Sequence, residues 1–499
     1  MAALRNSSSV GGIPVKLAAF IEDERRRADV VGAVVAAFDA EGLLFAGCFG
    51  YADLERAEPI ARDTRFRAAS ITQLFTACLV LQEISAGRLA LDDPVNHHLD
   101  QHSFVRDERG ALDGDVTIRR LLTHTAGLPP VARGFDYRRP DINYFVGGSL
   151  RVPKSLADVV ANQRTTHPPG TRYAHANGGY SLLGYLVQRT QGVPFRELLQ
   201  ERILQPLGMQ RSSIAVQGGG PESATPYGGA IAGAGRKPAP NVTVYAEPAG
   251  GLVTTATDLA RFGIAILREG ELDGARVLAE AMLRDAVQMQ VAAHPSVDHG
   301  VGFGFQIREF RGHHTITQGG TLPGVATRIA LLPEDRLGVL ILTNAGDQSF
   351  VNRVTDRVLE DLLDLGPETI PGSPRGILEG KAQEWAGLER RAVGNYQPTD
   401  KYPPGLVTGI MGLVGRIRLA RVADGILALE SRGHPMFLYP DGDVGCYRTA
   451  SNGNRAVLEE QDGRFHLWTL DGHYVRRPNW VRPGRWRTSS GIPWRWPSK

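Results

Sequence analysis

The sequence predicts an α+β protein, with one antiparallel sheet flanked by helices and a small all-β domain after it. Three observations carry this. An apolar hairpin lies near the start: V-V-G-A-V-V-A-A-F-D, a turn at Ala40-Glu41-Gly42, then L-L-F-A-G-C-F-G-Y. A second lies far along the chain: A-T-R-I-A-L-L, the turn P-E-D-R, then L-G-V-L-I-L-T-N. The segments between are mostly helical, and strands from both ends with helices between them favour one sheet completed by distant segments.

Taken in order, residues 1–24 read as an N-terminal extension and 25–365 as the main domain. Helices are expected from Ser70 to about Gly87 and from Gly178 to about Gln191. After the second hairpin, Val351, Val354, Val358, Leu362 and Leu365 fall on one helical stripe. Gly366 to Gly376 is rich in Gly and Pro, so 366–393 reads as a linker with a short helix. From 394 to 477 come short β-like runs punctuated by glycine, R-I-R-L-A-R-V, I-L-A-L-E, M-F-L-Y-P and R-F-H-L-W-T-L, which form the C-terminal β domain. Residues 478–499 form a tail. From Arg476 to Lys499 there are seven basic and no acidic residues, so the net charge of +3 leaves residues 1–475 at −4. Four tryptophans share this stretch, but Pro478, Pro483, Pro493 and Pro497 exclude a regular amphipathic helix, and the tail is expected to pack on its own domain.

With 499 residues, 42% of them hydrophobic and 22% charged, the composition is that of a soluble globular protein with no apolar run of membrane-spanning length. The N-terminus has no 7–15-residue apolar stretch before its charges begin, and the three cysteines, Cys48, Cys78 and Cys446, are odd in number and far apart. A cytoplasmic protein is expected, without disulfide framework, metal or cofactor, acting on a small molecule and not on nucleic acid. His97, His98 and His102 lack the cysteine or carboxylate pattern that completes a metal site. The Gly-rich stretch from Gln217 to Pro240 has no G-K-[ST] and reads as a surface loop.

No G-x-S-x-G elbow is present. Four landmarks stand out instead: F-R-A-A-S-I-T-Q (66–73), T-I-R-R-L-L-T-H-T-A-G-L-P (117–129), P-P-G-T-R-Y-A-H-A-N-G-G-Y-S-L-L-G (168–184) and Q-G-G-T-L-P-G (318–324). With L-A-L-D-D-P-V after the first and P-A-G-G-L-V-T-T-A-T-D-L-A-R-F at 248–262, the chain resembles the β-lactamase/penicillin-binding-protein superfamily, its class C β-lactamase, D-aminopeptidase and esterase branch especially. The resemblance implies the β-lactamase/transpeptidase-like fold, with a barrel-like C-terminal extension at 394–477. It also implies three motifs: S-x-x-K, Y-x-N, and K-T-G or H-x-G. Here they fall on Ser70 to Gln73, on His175 to Asn177, and on Gln318-Gly319-Gly320. Ser70 and Asn177 match; the lysine, the tyrosine and the third-motif cation do not. The implied oxyanion hole is the backbone N–H of Ser70 with that of Thr321, donors that survive side-chain substitution.

A tyrosine of pKa about 10 needs a neighbouring cation to act as a base, whereas histidine, at about 6.5, can take a serine proton unaided. Lysine to glutamine with tyrosine to histidine would turn a Ser–Lys–Tyr site into a Ser–His site, with Ser70 as nucleophile, His175 as base, and Gln73 and Asn177 orienting. The substrate would be a neutral ester, amide or thioester, because Gln318 offers a substrate carboxylate no cation. Two alternatives stay open: a non-catalytic binding descendant, and an elimination, cyclisation or isomerisation that uses His175 without an acyl-enzyme. Arg172 and Arg328 are expected on the surface, His124 as a buried structural histidine, and 135–145 as a lid or surface excursion.

Overall fold

The computed structural model describes residues 9–10, 12–107, 109–129, 135–137, 154–216, 220, 222–228, 236–239, 242–366, 382–398, 417–423, 426–431, 434–440, 444–449, 455–469 and 472–476. The tail at 478–499, most of 135–145, and parts of the linker and of the Gly-rich loop lie outside the described residues.

The main sheet has nine strands: β1 (Gly32–Asp39), β2 (Gly42–Asp53), β3 (Glu58–Pro59), β4 (Val291–Ala292), β5 (His299–Val301), β6 (Gln306–Phe310), β7 (His313–Leu322), β8 (Val325–Leu332) and β9 (Leu337–Thr343). Their order is β4-β5-β6-β7-β8-β9-β1-β2-β3, every neighbour antiparallel. Both hairpins read from the sequence are present, and β9 lies against β1 in the register Leu340↔Ala36. The first turn is closed by Asp39, whose Oδ1 accepts the N–H groups of Glu41 and Gly42 at 2.8 and 2.9 Å.

Alternation along β1 sends its side chains to two cores. Val34, Ala36 and Phe38 face one, with α2 (Thr72–Ser85), α3 (Asn177–Gln191) and α4 (Ala256–Leu267). Ala33, Val35 and Ala37 face the other, with α1 (Val15–Arg27) and α5 (Gln348–Leu362). Phe38 fits the first core because Gly338 and Gly263 lie across from it; a Cβ on either would come within 2.2 or 2.5 Å of its ring. Helix α2 is enclosed on every side, with Thr72 through Leu81 all buried, as an apolar helix must be. At its far end the buried carboxylate of Glu83 is bonded by Arg88 and Arg202 and accepts from Gln191 on α3.

The structure moves one boundary. Helix α1 begins at Val15, and Leu17 and Ile21 are core residues, so residues 15–24 are built into the main domain. The apolar stripe of α5 is also shorter than its sequence pattern: the helix ends at Leu362, and the N–H of Leu365 turns back to Glu360 O at 2.9 Å.

The C-terminal strands β10 (Gly394–Pro398), β11 (Ile417–Ala423), β12 (Ile426–Ser431), β13 (His434–Pro440), β14 (Cys446–Thr449), β15 (Arg455–Gln461), β16 (Arg464–Thr469) and β17 (Gly472–Arg476) close into a barrel. Closure leaves no strand edge exposed. Helix α6 (Ala382–Ala392) plugs it with Trp385 and Ala392 among the barrel's own core residues. The barrel meets the main domain where His294 packs on Trp468, ring centroids 5.2 Å apart, and Asp298 Oδ1 accepts the Arg455 N–H at 3.4 Å.

Ile21 is fully buried between α1, the sheet and α5. Ile21→Ala is expected to lower unfolding stability by about 2–5 kcal/mol in urea titration. A change within about 0.5 kcal/mol would mean that α1 contributes nothing to the core.

Candidate active site

Ser70 lies in a tight turn, Ala69–Ile71, that leads into α2. The preceding residue, Ala69, holds φ at +50°, a left-handed conformation uncommon for a side chain with a Cβ. The turn is braced from three sides. Thr327 Oγ1 on β8 donates to Ala68 O at 2.9 Å, Thr72 Oγ1 donates to Ala69 O at 2.6 Å, and the Ala68 N–H donates to Leu252 O at 2.8 Å. Strand β7 runs against the same turn at Gly320. A Cβ there would lie 2.5 Å from Ala68 O and 2.9 Å from Ala69 Cβ, so only glycine permits the approach.

One turn along α2, Gln73 is buried and its Nε2 donates to Asn177 Oδ1 at 3.0 Å. The same nitrogen lies 3.4 Å from His175 Nε2. An amide nitrogen only donates, so the ring nitrogen facing it is the acceptor and the imidazole proton sits on Nδ1. The structure therefore joins Gln73, His175 and Asn177 into one hydrogen-bonded group beside Ser70, as the motif spacing suggests. Ser70 Oγ itself has no side-chain hydrogen bond among the described residues, and the His175 contact goes to Gln73.

Burial pulls the pKa of His175 down to about 4, well below the 6.5 that its residue type suggests. Behind it stands His124, ring centroids 4.5 Å apart and planes inclined by 37°. His124 is buried and takes φ of +54°. Its carbonyl accepts the Ala174 N–H at 2.8 Å and its Nδ1 accepts the Ala176 N–H at 3.1 Å. Burial, and then the neighbouring His175, hold its pKa well below the ordinary value too. Tyr180 on α3 also packs on His124, centroids 4.9 Å apart, and donates its hydroxyl to Leu122 O at 3.1 Å.

Gln318 on β7 is buried, on the strand face shared with Ile316 and Gly320. Its Nε2 donates to Gly319 O at 3.3 Å, so it brings an amide and no charge. Thr321 points to the opposite face, where its hydroxyl donates to Gln348 on α5 at 3.2 Å; only its backbone remains for the Ser70 side. Arg328 is not a surface residue. It is buried, with Nε donating to Thr317 Oγ1 at 3.1 Å and Nη1 to Asn352, on the α5 side of the sheet. It therefore supplies no cation to the Ser70 side. Arg172 is half-buried. His98 Nε2 meets Asp93 at 2.9 Å, while His97 and His102 are exposed.

Thr327, Thr72 and the clamp made by His124 were not evident as a group from the sequence. The isolated polar residues Thr72 and Thr327 in otherwise apolar, buried stretches were the available signal, since a buried hydroxyl needs a partner.

A family model described as Beta-lactamase matches residues 17–363. The chain belongs to this family. A Mycobacterium tuberculosis protein named only as uncharacterised is 32% identical over 271 residues, which cover 51% of this chain and 66% of that one. The chain thus spans just under two thirds of that relative's length. Penicillin-binding protein 4 of Amycolatopsis lactamdurans is 27% identical over 334 residues, 64% of this chain and 83% of that one. Among solved structures, the octameric penicillin-binding protein homologue from Pyrococcus abyssi superposes with a TM-score of 0.58 at 22% identity, over 92% of this chain and 99% of that one. That coverage extends the likeness of fold past the matched family domain into the C-terminal barrel. No helix among the described residues is long and apolar enough to cross a membrane.

The two depressed histidines give stability a pH dependence. As pH falls below 6.5 the unfolded chain takes up protons that folded His175 refuses until about 4. Stability is therefore full above about 6.5 and falls through that window, by up to about 1.4 kcal/mol per pH unit for one histidine. His175→Gln is expected to flatten part of this slope in urea titrations between pH 4 and 7. A slope identical to wild type would show that His175 ionises alike in both states.

Proposed function

We propose that the protein is a serine hydrolase or acyltransferase acting on a neutral ester, amide or thioester, through an acyl-enzyme on Ser70 with His175 as the base. The observation that carries this reading is the Gln73–His175–Asn177 group. It sets a neutral imidazole, one ring nitrogen available as an acceptor, beside the turn that presents Ser70. In this reading the His175 Nε2 lone pair exchanges its long contact with Gln73 for the Ser70 hydroxyl when substrate enters. Ser70 Oγ then attacks the carbonyl carbon, its proton passes to His175, and the backbone N–H groups of Ser70 and Thr321 take the oxyanion. His175 returns the proton to the leaving group. Water, or another acceptor hydroxyl or amine, releases the acyl group by the reverse sequence.

A second reading has its own observation. His175 bonds to Gln73 and not to Ser70, and a pKa of about 4 makes it a weak base. Both favour a family member kept as a binding protein; the contact with Gln73 in place of Ser70 also fits chemistry that runs on His175 without Ser70.

A fluorophosphonate label separates the two. Under the first reading wild type reacts, Ser70→Ala does not, and His175→Ala reacts roughly 10²–10⁴-fold more slowly. The rate should be flat from pH 9 down to about 5 and decline as His175 gains a proton near pH 4. No labelling at any pH from 5 to 9 sinks the covalent mechanism. Turnover of a substrate that survives Ser70→Ala but not His175→Ala assigns the reaction to His175 alone.

The substrate class has a separate check. Gln318 carries no charge, so activity on neutral esters should exceed that on penicillins. Gln318→Lys should raise relative kcat/KM for a carboxylate-bearing ester about tenfold or more over its methyl ester. An unchanged ratio would remove Gln318 from substrate recognition.

A further inference from the structure

We propose that His124 is a positioning residue for His175, holding the peptide that carries it and covering one ring face so that His175 stays a neutral acceptor. This rests on the reading of His175 as the base, and it assigns the signature histidine of L-L-T-H-T-A-G-L a role beyond filling the core.

Two hydrogen bonds define the hold. The N–H groups of Ala174 and Ala176, on either side of His175, donate to His124 O at 2.8 Å and His124 Nδ1 at 3.1 Å. One residue thus grips the segment at two points and leaves His175 little freedom to rotate as a unit. The second bond also fixes a tautomer. A backbone N–H only donates, so His124 Nδ1 must keep its lone pair and the ring is neutral with its proton on Nε2. Protonating His124 would set two N–H groups against each other. The φ of +54° at His124 turns its own carbonyl and its ring toward the same segment.

The stack supplies the rest. The His124 ring lies 4.5 Å from that of His175 and itself packs on Tyr180 at 4.9 Å, with Tyr173 edge-on at 5.9 Å. From α2 the facing group is the neutral amide of Gln73. Among the described residues, no hydrogen bond or ion pair joins His175 to a carboxylate that would favour its charged form. The groups that face it are a neutral imidazole and an amide, and a proton gained by His175 meets no compensating charge from them.

Two variants separate holding from covering. His124→Asn accepts φ near +54° and keeps a side-chain oxygen as acceptor, but removes the ring. His124→Phe keeps a ring and removes the acceptor. The readout is the NMR titration of the His175 imidazole, assigned by the signal lost in His175→Gln, alongside deuterium exchange at the Ala176 amide. His124→Asn is expected to raise the His175 midpoint by roughly one unit or more toward the ordinary value, because the ring that excludes water is gone. His124→Phe should leave that midpoint low and speed Ala176 exchange about tenfold or more, because its hydrogen bond is gone. If the two variants shift His175 alike, or neither moves midpoint or exchange, the proposal is overturned. If one variant fails to fold, the other still decides its half. The titration needs no turnover, so a protein that never reacts with fluorophosphonate would end the acyl-enzyme reading and leave this measurement intact.

Discussion

The site depends on the contact between the turn at Ala68–Ser70 and strand β7 at Gly320. Ala69 at φ +50° stores about 1–3 kcal/mol of backbone strain. Three hydrogen bonds, from Thr327, from Thr72 and to Leu252, hold the turn against that strain. Each comes from a different element, so the central sheet, helix α2 and the segment at 252–254 must all be in place before Ser70 takes its position. The same contact sets Ser70 beside the backbone of β7. None of these supports is one of the altered motif side chains, Gln73, His175 or Gln318. The scaffold for an acyl-transfer site can therefore stand complete while the groups that move protons change.

What has changed is the charge. Where the family pattern has a lysine on α2 and a cation on β7, this chain has Gln73 and Gln318, and both are buried. A buried cation requires a nearby anion or a strong hydrogen-bond network, and among the described residues the Gln73–His175–Asn177 group contains neither a cation nor an anion. Arg328 restores no charge there: its neighbour on β7 is Gly319, and the pleat sends its side chain to the α5 face with Thr317 and Asn352. A shift of one residue along β8 would have reversed that. The outcome is a site of amides, imidazoles and backbone dipoles.

The sequence showed the sheet because β1, β2, β8 and β9 are apolar runs closed by recognisable turns, and the fixed spacing of the landmarks pointed to the meeting of Gln73, His175 and Asn177. It failed where the signal is tertiary. Helix α1 reads as an extension because its fully apolar stripe, Leu17 and Ile21, is narrow and its second half, Glu22 to Arg27, is charged throughout; only α5 and the sheet make it core. His124 was legible as buried, but not its grip on Ala174 and Ala176, which joins residues 50 and 52 positions apart. The ordinary pKa of a histidine does not carry over to His175, since desolvation depends on what covers the ring and not on residue type.

The pairing of Gln73 with His175 has a logic that neither substitution shows alone. A lysine in place of Gln73 would set a cation against a ring that must accept a proton, opposing the step at the moment charge develops. Glutamine has both a donor and an acceptor on one terminal group. Its NH₂ faces Asn177 and His175 in the resting arrangement, where His175 Nε2 is the acceptor. Once that nitrogen holds a proton it needs an acceptor instead, and rotation of the amide by half a turn would present the carbonyl oxygen at the same place. Such a group stabilises either state of the imidazole by a hydrogen bond, which offsets part of the weakness of a base with a pKa near 4. In a Ser–His–carboxylate site the third group stabilises the imidazolium by charge. Here, in the proposed mechanism, Gln73 instead meets the ring nitrogen that takes the Ser70 proton, and its amide, which can reverse its polarity, brings no charge to the site.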